Sequence, residues 1–109
     1  MEVNSRIVKL LILSGFNEGT TIKIIPNSCI SFGRNERADW LVNDSRMSGL
    51  HFEVENFGDR AVVRDRDSIK ETLLNKSLII GEMELTVDDE ISAEQSIFKV
   101  ASLGEGNSQ

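Results

Sequence analysis

A single cysteine, Cys29, and a single histidine, His51, are present in 109 residues, so no disulfide closes within the chain and no zinc site is built mainly from His and Cys. A reducing compartment is the simplest setting for such a sequence. Positive charge is also short: twelve Lys and Arg stand against eighteen Asp and Glu, for a net charge of −6. That sign is opposite to the basic stripe that nucleic acid selects, and nucleic acid is not expected as a partner. Long apolar runs are lacking as well. The most apolar stretch, Ile7 to Leu13, is interrupted by Lys9 and falls far short of the roughly 20 residues that span a bilayer. It has neither the apolar centre nor the small-residue cleavage site of an export signal. A cytoplasmic segment without direct membrane contact is expected. Helical periodicity is missing too, since no window sustains an amphipathic helix.

What is present is alternation with a period near two, in short runs rich in β-branched residues. The pattern predicts strands at Arg6–Leu13, Thr20–Ile25, Cys29–Phe32, Leu50–Glu55, Arg60–Asp65, Leu78–Ile80, Leu85–Val87 and Ser96–Ser102. Turn signals at Ser14-Gly15 through Gly19, Pro26-Asn27, Asn56 to Asp59, Gly81-Glu82 and Asp88-Asp89 separate them, the close spacing of an all-β sandwich or barrel. The length fits one domain, expected over residues 1–103, with 104–109 read from composition as a flexible tail or the start of a linker. Cys29 on its strand is expected to be a small core residue, and Trp40 a partly buried packing residue. The central hairpin places the loop before Leu50 beside the loop after Asp65, so Ser48 and Ser68 belong to one end of the sandwich. Loops at one end of such a scaffold form the usual binding surface.

Seven of the twelve basic residues lie between Gly33 and Thr72, whereas from Lys76 onward two stand against seven acidic ones. A local anion site is therefore compatible with an acidic whole. Gly33-Arg34 opens this region, followed by Asp39-Trp40-Leu41-Val42-Asn43-Asp44-Ser45-Arg46-Met47-Ser48-Gly49-Leu50-His51 and Asp65-Arg66-Asp67-Ser68-Ile69-Lys70-Glu71-Thr72-Leu73-Leu74-Asn75. Leu85 to Ile91 and Phe98-Lys99-Val100 close it. These ordered blocks resemble the forkhead-associated (FHA) domain, an all-β sandwich of short, mainly antiparallel strands that reads phosphothreonine peptides.

The resemblance implies that Arg34 and Ser48 bind phosphate, with Gly33 and His51 structural. Four positions depart from the family pattern, one of them Glu71, which stands in place of a glycine. Gly49 follows the serine where a polar side chain is common, Ile69 follows Ser68 where a hydroxyl is frequent, and Lys70 replaces the asparagine that holds the peptide backbone. Arg46 and Lys70 add charge beside the pair, although an ammonium cannot both donate and accept as an amide does. The expected partner is a phosphothreonine-containing protein or peptide. The alternative is an unphosphorylated partner in an assembly such as a bacterial secretion system, with the domain as scaffold.

Catalysis is not expected, because Ser48 and His51 lack a nucleophile elbow and a third orienting group. Asp65-x-Asp67 lacks the parallel α/β setting of phosphatase carboxylates. Asp88-Asp89-Glu90 lacks the alternating ligands and central glycine of a calcium loop and reads as a solvated turn. No cofactor or metal is called for.

Overall fold

The alternating runs assemble into eleven strands in a computed structural model that describes residues 6–66, 68 and 71–104. In chain order they are β1 Val8–Ser14, β2 Thr21–Ile24, β3 Ser28–Gly33, β4 Trp40–Leu41, β5 Phe52–Asn56 and β6 Ala61–Asp65. The remainder are β7 Thr72–Leu74, β8 Ser77–Leu78, β9 Glu82–Glu84, β10 Glu90–Ala93 and β11 Ser96–Ser102. One sheet runs β2-β1-β11-β10-β7-β8 and the other β4-β3-β5-β6-β9. All pairings are antiparallel except β3 with β4.

Alternation decides which side chains face the interior. Val8, Leu10 and Ile12 of β1, with Ile91, Ala93, Phe98 and Val100 of β10 and β11, meet Phe32, Phe52, Val54, Ala61 and Val63 of the opposing sheet in one core. Phe32 and Phe52 are cross-strand partners, and their rings stack with centroids 4.6 Å apart. Phe98 crosses from the other sheet and sets its ring edge-on to both, at 5.5 and 5.3 Å. Such offset and edge-to-face contacts add to burial alone. Phe32 precedes Gly33 and Phe52 follows His51, so the cluster lies directly behind the loops expected to bind.

At the opposite end, buried Asn56 ties three segments together. Its Nδ2 donates to the carbonyls of Arg6 and Ile24, both at 2.8 Å, and its Oδ1 accepts from Gly58 N–H. Gly58 holds a φ of 96°, which glycine adopts without a Cβ penalty. Between β7 and β8, Asn75 and Lys76 have φ of 51° and 71°, the left-handed pair of a two-residue type I′ hairpin.

Four strands were not predicted, namely β4, β7, β9 and β10. Each is two to four residues long, too short for alternation to register. The strand expected at Leu85–Val87 lies instead at Glu82–Glu84, where Glu82 and Glu84 pair with Arg64 and Val62 of β6. Thr86 and Asp89 close a turn, with Asp89 Oδ2 accepting from Thr86 N–H at 2.7 Å and Asp88 at φ 77°. Trp40 is half-buried against the core, as expected. Leu103 packs on the core, and Gly104 O accepts from Ile7 N–H at 2.8 Å. Residues 105–109 of the expected tail lie outside the described residues. Among the described residues, no helix is long and apolar enough to cross a membrane.

Cys29 corrects a second expectation, because it is exposed rather than core. Ile30 and Phe32 set the inward phase of β3, which turns Cys29 out beside its β5 partner Glu55 and near Glu53. Partial desolvation, with Glu53 and Glu55 alongside and only Arg64 opposing, pushes the thiol from 9.0 up to about 11. The thiolate is the nucleophile, and a more basic thiolate is the more reactive one, so Cys29 should alkylate roughly tenfold more slowly at pH 7.5 than a thiol of ordinary pKa. Following iodoacetamide labelling from pH 7 to 11 by intact mass should show the rate still climbing at pH 10. A plateau near pH 9 would refute this.

Candidate functional site

Backbone bonds sew the end of β3 to the loop between β4 and β5. Arg34 N–H donates to Ser48 O at 3.0 Å, and Asn35 N–H to Gly49 O at 3.3 Å. This approach requires glycine at position 33: a Cβ there would lie 1.9 Å from Gly49 O and 2.6 Å from Gly49 C. Gly33-Arg34 is thus one device, in which the glycine admits the loop and the arginine follows it out of the sheet.

The loop has its own internal supports. Asp44 is buried; its Oδ1 accepts from Arg46 N–H at 3.0 Å and its Oδ2 from Ser96 Oγ at 3.3 Å. Met47 N–H donates to Asp44 O at 3.0 Å, and the Met47 side chain enters the core. That fixes Met47 O, which accepts from Arg34 Nε at 2.9 Å. The guanidinium is therefore anchored through Nε, while its two terminal nitrogens have no hydrogen-bond or ion-pair partner among the described residues. Arg34 remains exposed, as does Arg46.

His51 is wholly buried. Its N–H donates to Phe32 O at 2.8 Å, and its O accepts from Arg66 N–H at 2.9 Å. Its Nδ1 accepts from Ser48 N–H at 3.1 Å, so the proton of the neutral ring rides on Nε2. Ser48 N–H is thereby turned inward, and the residue is held half-buried between Met47 and Gly49. His51 Nε2 has no partner among the described residues.

The hairpin arithmetic holds, because Phe52 pairs with Asp65 and Arg66 bonds His51, bringing Ser48 and Ser68 to one end. Ser68 is engaged locally: its Oγ donates to Asp65 Oδ1 at 2.5 Å, where Thr72 Oγ1 also donates at 2.6 Å. Burial opposes ionisation of Asp65, yet the bonds from Ser68 and Thr72 outweigh it and hold the carboxyl below its usual range. Ile69 and Lys70, named as site residues, lie outside the described residues.

The structure therefore brings Gly33, Arg34, Arg46, Ser48, Gly49 and His51 together at one end. Sequence reading missed Asn35, Asp44 and Ser96. Asp44 and Ser96 are 52 residues apart, and nothing local in the sequence pairs them; Asn35 stood beside Arg34 and drew no notice. Among the described residues, no group of three or more His, Cys, Asp or Glu is placed to hold a metal ion.

Comparison with known proteins agrees with this architecture. The FHA domain family model matches residues 30–93. The solution structure of the FHA domain of an Arabidopsis thaliana hypothetical protein is similar at a TM-score of 0.87 and 23% identity, covering 100% of this chain and 95% of that one. An FHA domain solved in a study of phosphothreonine-dependent FHA interactions gives 0.74 at 24% identity, over 85% of this chain and 93% of that one. The cytoplasmic domain of the T3SS sorting platform protein PscD from P. aeruginosa gives 0.73 at 13% identity, over 94% and 92%. At these identities the likeness concerns the fold. Among curated proteins, none matches the chain.

Proposed function

This chain belongs to the FHA domain family, and on that premise we propose that it is a noncatalytic interaction module that binds a phosphothreonine peptide through Arg34 and Ser48. The observation that carries the reading is the state of Arg34: anchored by Nε on Met47 O, bonded through its backbone to Ser48, and presenting both terminal nitrogens unpaired among the described residues. A phosphate near charge −2 needs converging donors, and a guanidinium fixed at one edge keeps its other edge for a bidentate contact. Arg46, exposed on the same loop, contributes charge. His51 acts as a positioning residue, because its Nδ1 sets the Ser48 backbone.

A second reading rests on a different observation. Gly49 offers no side chain beside Ser48, and a T3SS sorting platform domain shares the fold, so the module would serve as a phosphate-independent scaffold in an assembly.

Screening a degenerate phosphothreonine peptide library and its unphosphorylated twin, followed by titration of the best peptide, separates the two. The phosphorylated form should bind preferentially, and Arg34→Ala should lose about 1.5 to 3 kcal/mol of that binding. The exposed side chain makes no core contact and loses only its bond to Met47 O, so the thermal midpoint should fall only slightly. If the protein does not distinguish the twins, the scaffold reading takes its place.

A further inference from the structure

Position 49 carries no side chain, yet the space a side chain would take there is filled. A Cβ built on Gly49 would lie 2.5 Å from Asn35 Nδ2 and 3.1 Å from Asn35 Cγ. Asn35 directly follows Arg34, and the backbone bonds of this pair run to Ser48 and Gly49 in turn. The Asn35 amide thus packs over the residue next to Ser48, approaching from the β3 side.

Its orientation is set by its own turn. Oδ1 accepts from Arg37 N–H at 2.7 Å, and Asn35 O accepts from Ala38 N–H at 3.1 Å, an Asx-type closure that distinguishes the amide oxygen from the nitrogen. With the oxygen engaged, Nδ2 carries two N–H donors that have no acceptor among the described residues. An amide locked by its oxygen binds a ligand with little further loss of rotamer freedom.

We propose that Asn35 Nδ2 is a ligand donor of this site, taking in space the place of the side chain missing at position 49 and donating to an oxygen of the phosphothreonine. The proposal rests on the phosphopeptide reading above. In this arrangement the donors come from Arg34, Asn35 and Ser48, on two segments joined by the close approach at Gly33. The amide brings direction without charge, which favours a tetrahedral phosphate in one pose over anions in general.

The test is calorimetric titration of the best phosphothreonine peptide from the library, and of its unphosphorylated twin, against four proteins. These are the parent, Asn35→Ala, Asn35→Asp and the double variant Asn35→Ala/Gly49→Asn. Asn35→Asp keeps an acceptor for Arg37 N–H and nearly the same volume while removing both donors. The double variant returns an amide from the opposite side of the same space. Each single variant should weaken phosphopeptide binding about tenfold or more, the factor carried by a hydrogen bond to a charged group. The thermal midpoint should hold in Asn35→Asp, which keeps the acceptor for Arg37 N–H, and the double variant should recover part of the binding loss. Parent-like binding by Asn35→Ala, which removes the donors without adding the negative charge of Asn35→Asp, overturns the proposal. So does a loss that tracks a lowered midpoint without recovery in the double variant, which would make Asn35 a turn residue only. If the parent itself fails to distinguish the twins, the phosphopeptide reading falls and this proposal with it, and the parent titration alone tells that failure from the others.

Discussion

Phe98→Ala is expected to cost about 3 to 5 kcal/mol of folding stability, the range for truncating a fully buried phenylalanine. The ring has no exposed surface and contacts both members of the Phe32–Phe52 stack from the opposite sheet. Its removal opens a void between the sheets at the point where they are joined by aromatic contacts. The flanking strands are held by ladders on both sides, β1 with β11 and β3 with β5, so the walls have little freedom to collapse inward. A domain of this size has about 5 to 15 kcal/mol in total, and the variant should therefore be marginal at room temperature. Urea denaturation of the parent, Phe98→Ala and Phe98→Leu checks this. Leucine should retain a large part of the stability, and a loss below about 1 kcal/mol for alanine would show that the stack closes over the void.

The same cluster shows what sequence makes legible. Alternation in β1, β5 and β11 revealed both the strands and their inward faces, because each runs five to seven residues and packs one face on the core. Those runs, and the blocks from Gly33 to Val100, were enough for an all-β sandwich of the FHA type. The short strands were not legible, since β4, β7 and β10 owe their pairing to neighbours supplied by other parts of the chain. β9 is the clearest case. Glu82 and Glu84 are poor strand formers, but Arg64 of β6 bonds Glu82 as well as Glu53 and Glu55 of β5, a network visible only once the strands are adjacent.

At the site the division is similar. Arg34, Ser48 and His51 were singled out through the resemblance to FHA blocks, and the common end of Ser48 and Ser68 followed from hairpin geometry. The supports were not found, because they act through space. Asp44 reaches Ser96 across the sandwich, and Asn35 reaches Gly49 across the β3 exit. Gly49 itself reads in sequence as a loss, whereas in the structure it is the position over which the Asn35 amide packs.

Gly33→Ala should have the second-largest effect, and it couples fold to site. The added Cβ would meet backbone, with Gly49 O at 1.9 Å and Leu50 Cα at 2.9 Å. No rotamer change relieves a backbone collision, so β3 and the β4–β5 loop must separate, breaking the bonds of Arg34 to Ser48 and of Asn35 to Gly49. The cost belongs at or above the upper end of overpacking, about 3 kcal/mol. Because the same bonds place Arg34 beside Ser48, phosphopeptide binding should fall further than in Arg34→Ala, measured on whatever fraction remains folded. Gly49→Ala is the control. Its Cβ meets the tip of the Asn35 amide rather than backbone, and that tip can swing aside at the cost of its bond to Arg37 N–H, so stability should drop by about 1 kcal/mol. Thermal denaturation and peptide titration of the two variants together decide the matter. If Gly33→Ala proves as stable as Gly49→Ala, the close approach at Gly33 does not hold the loop, and the placement of Arg34 against Ser48 must depend on the Met47 and His51 contacts instead.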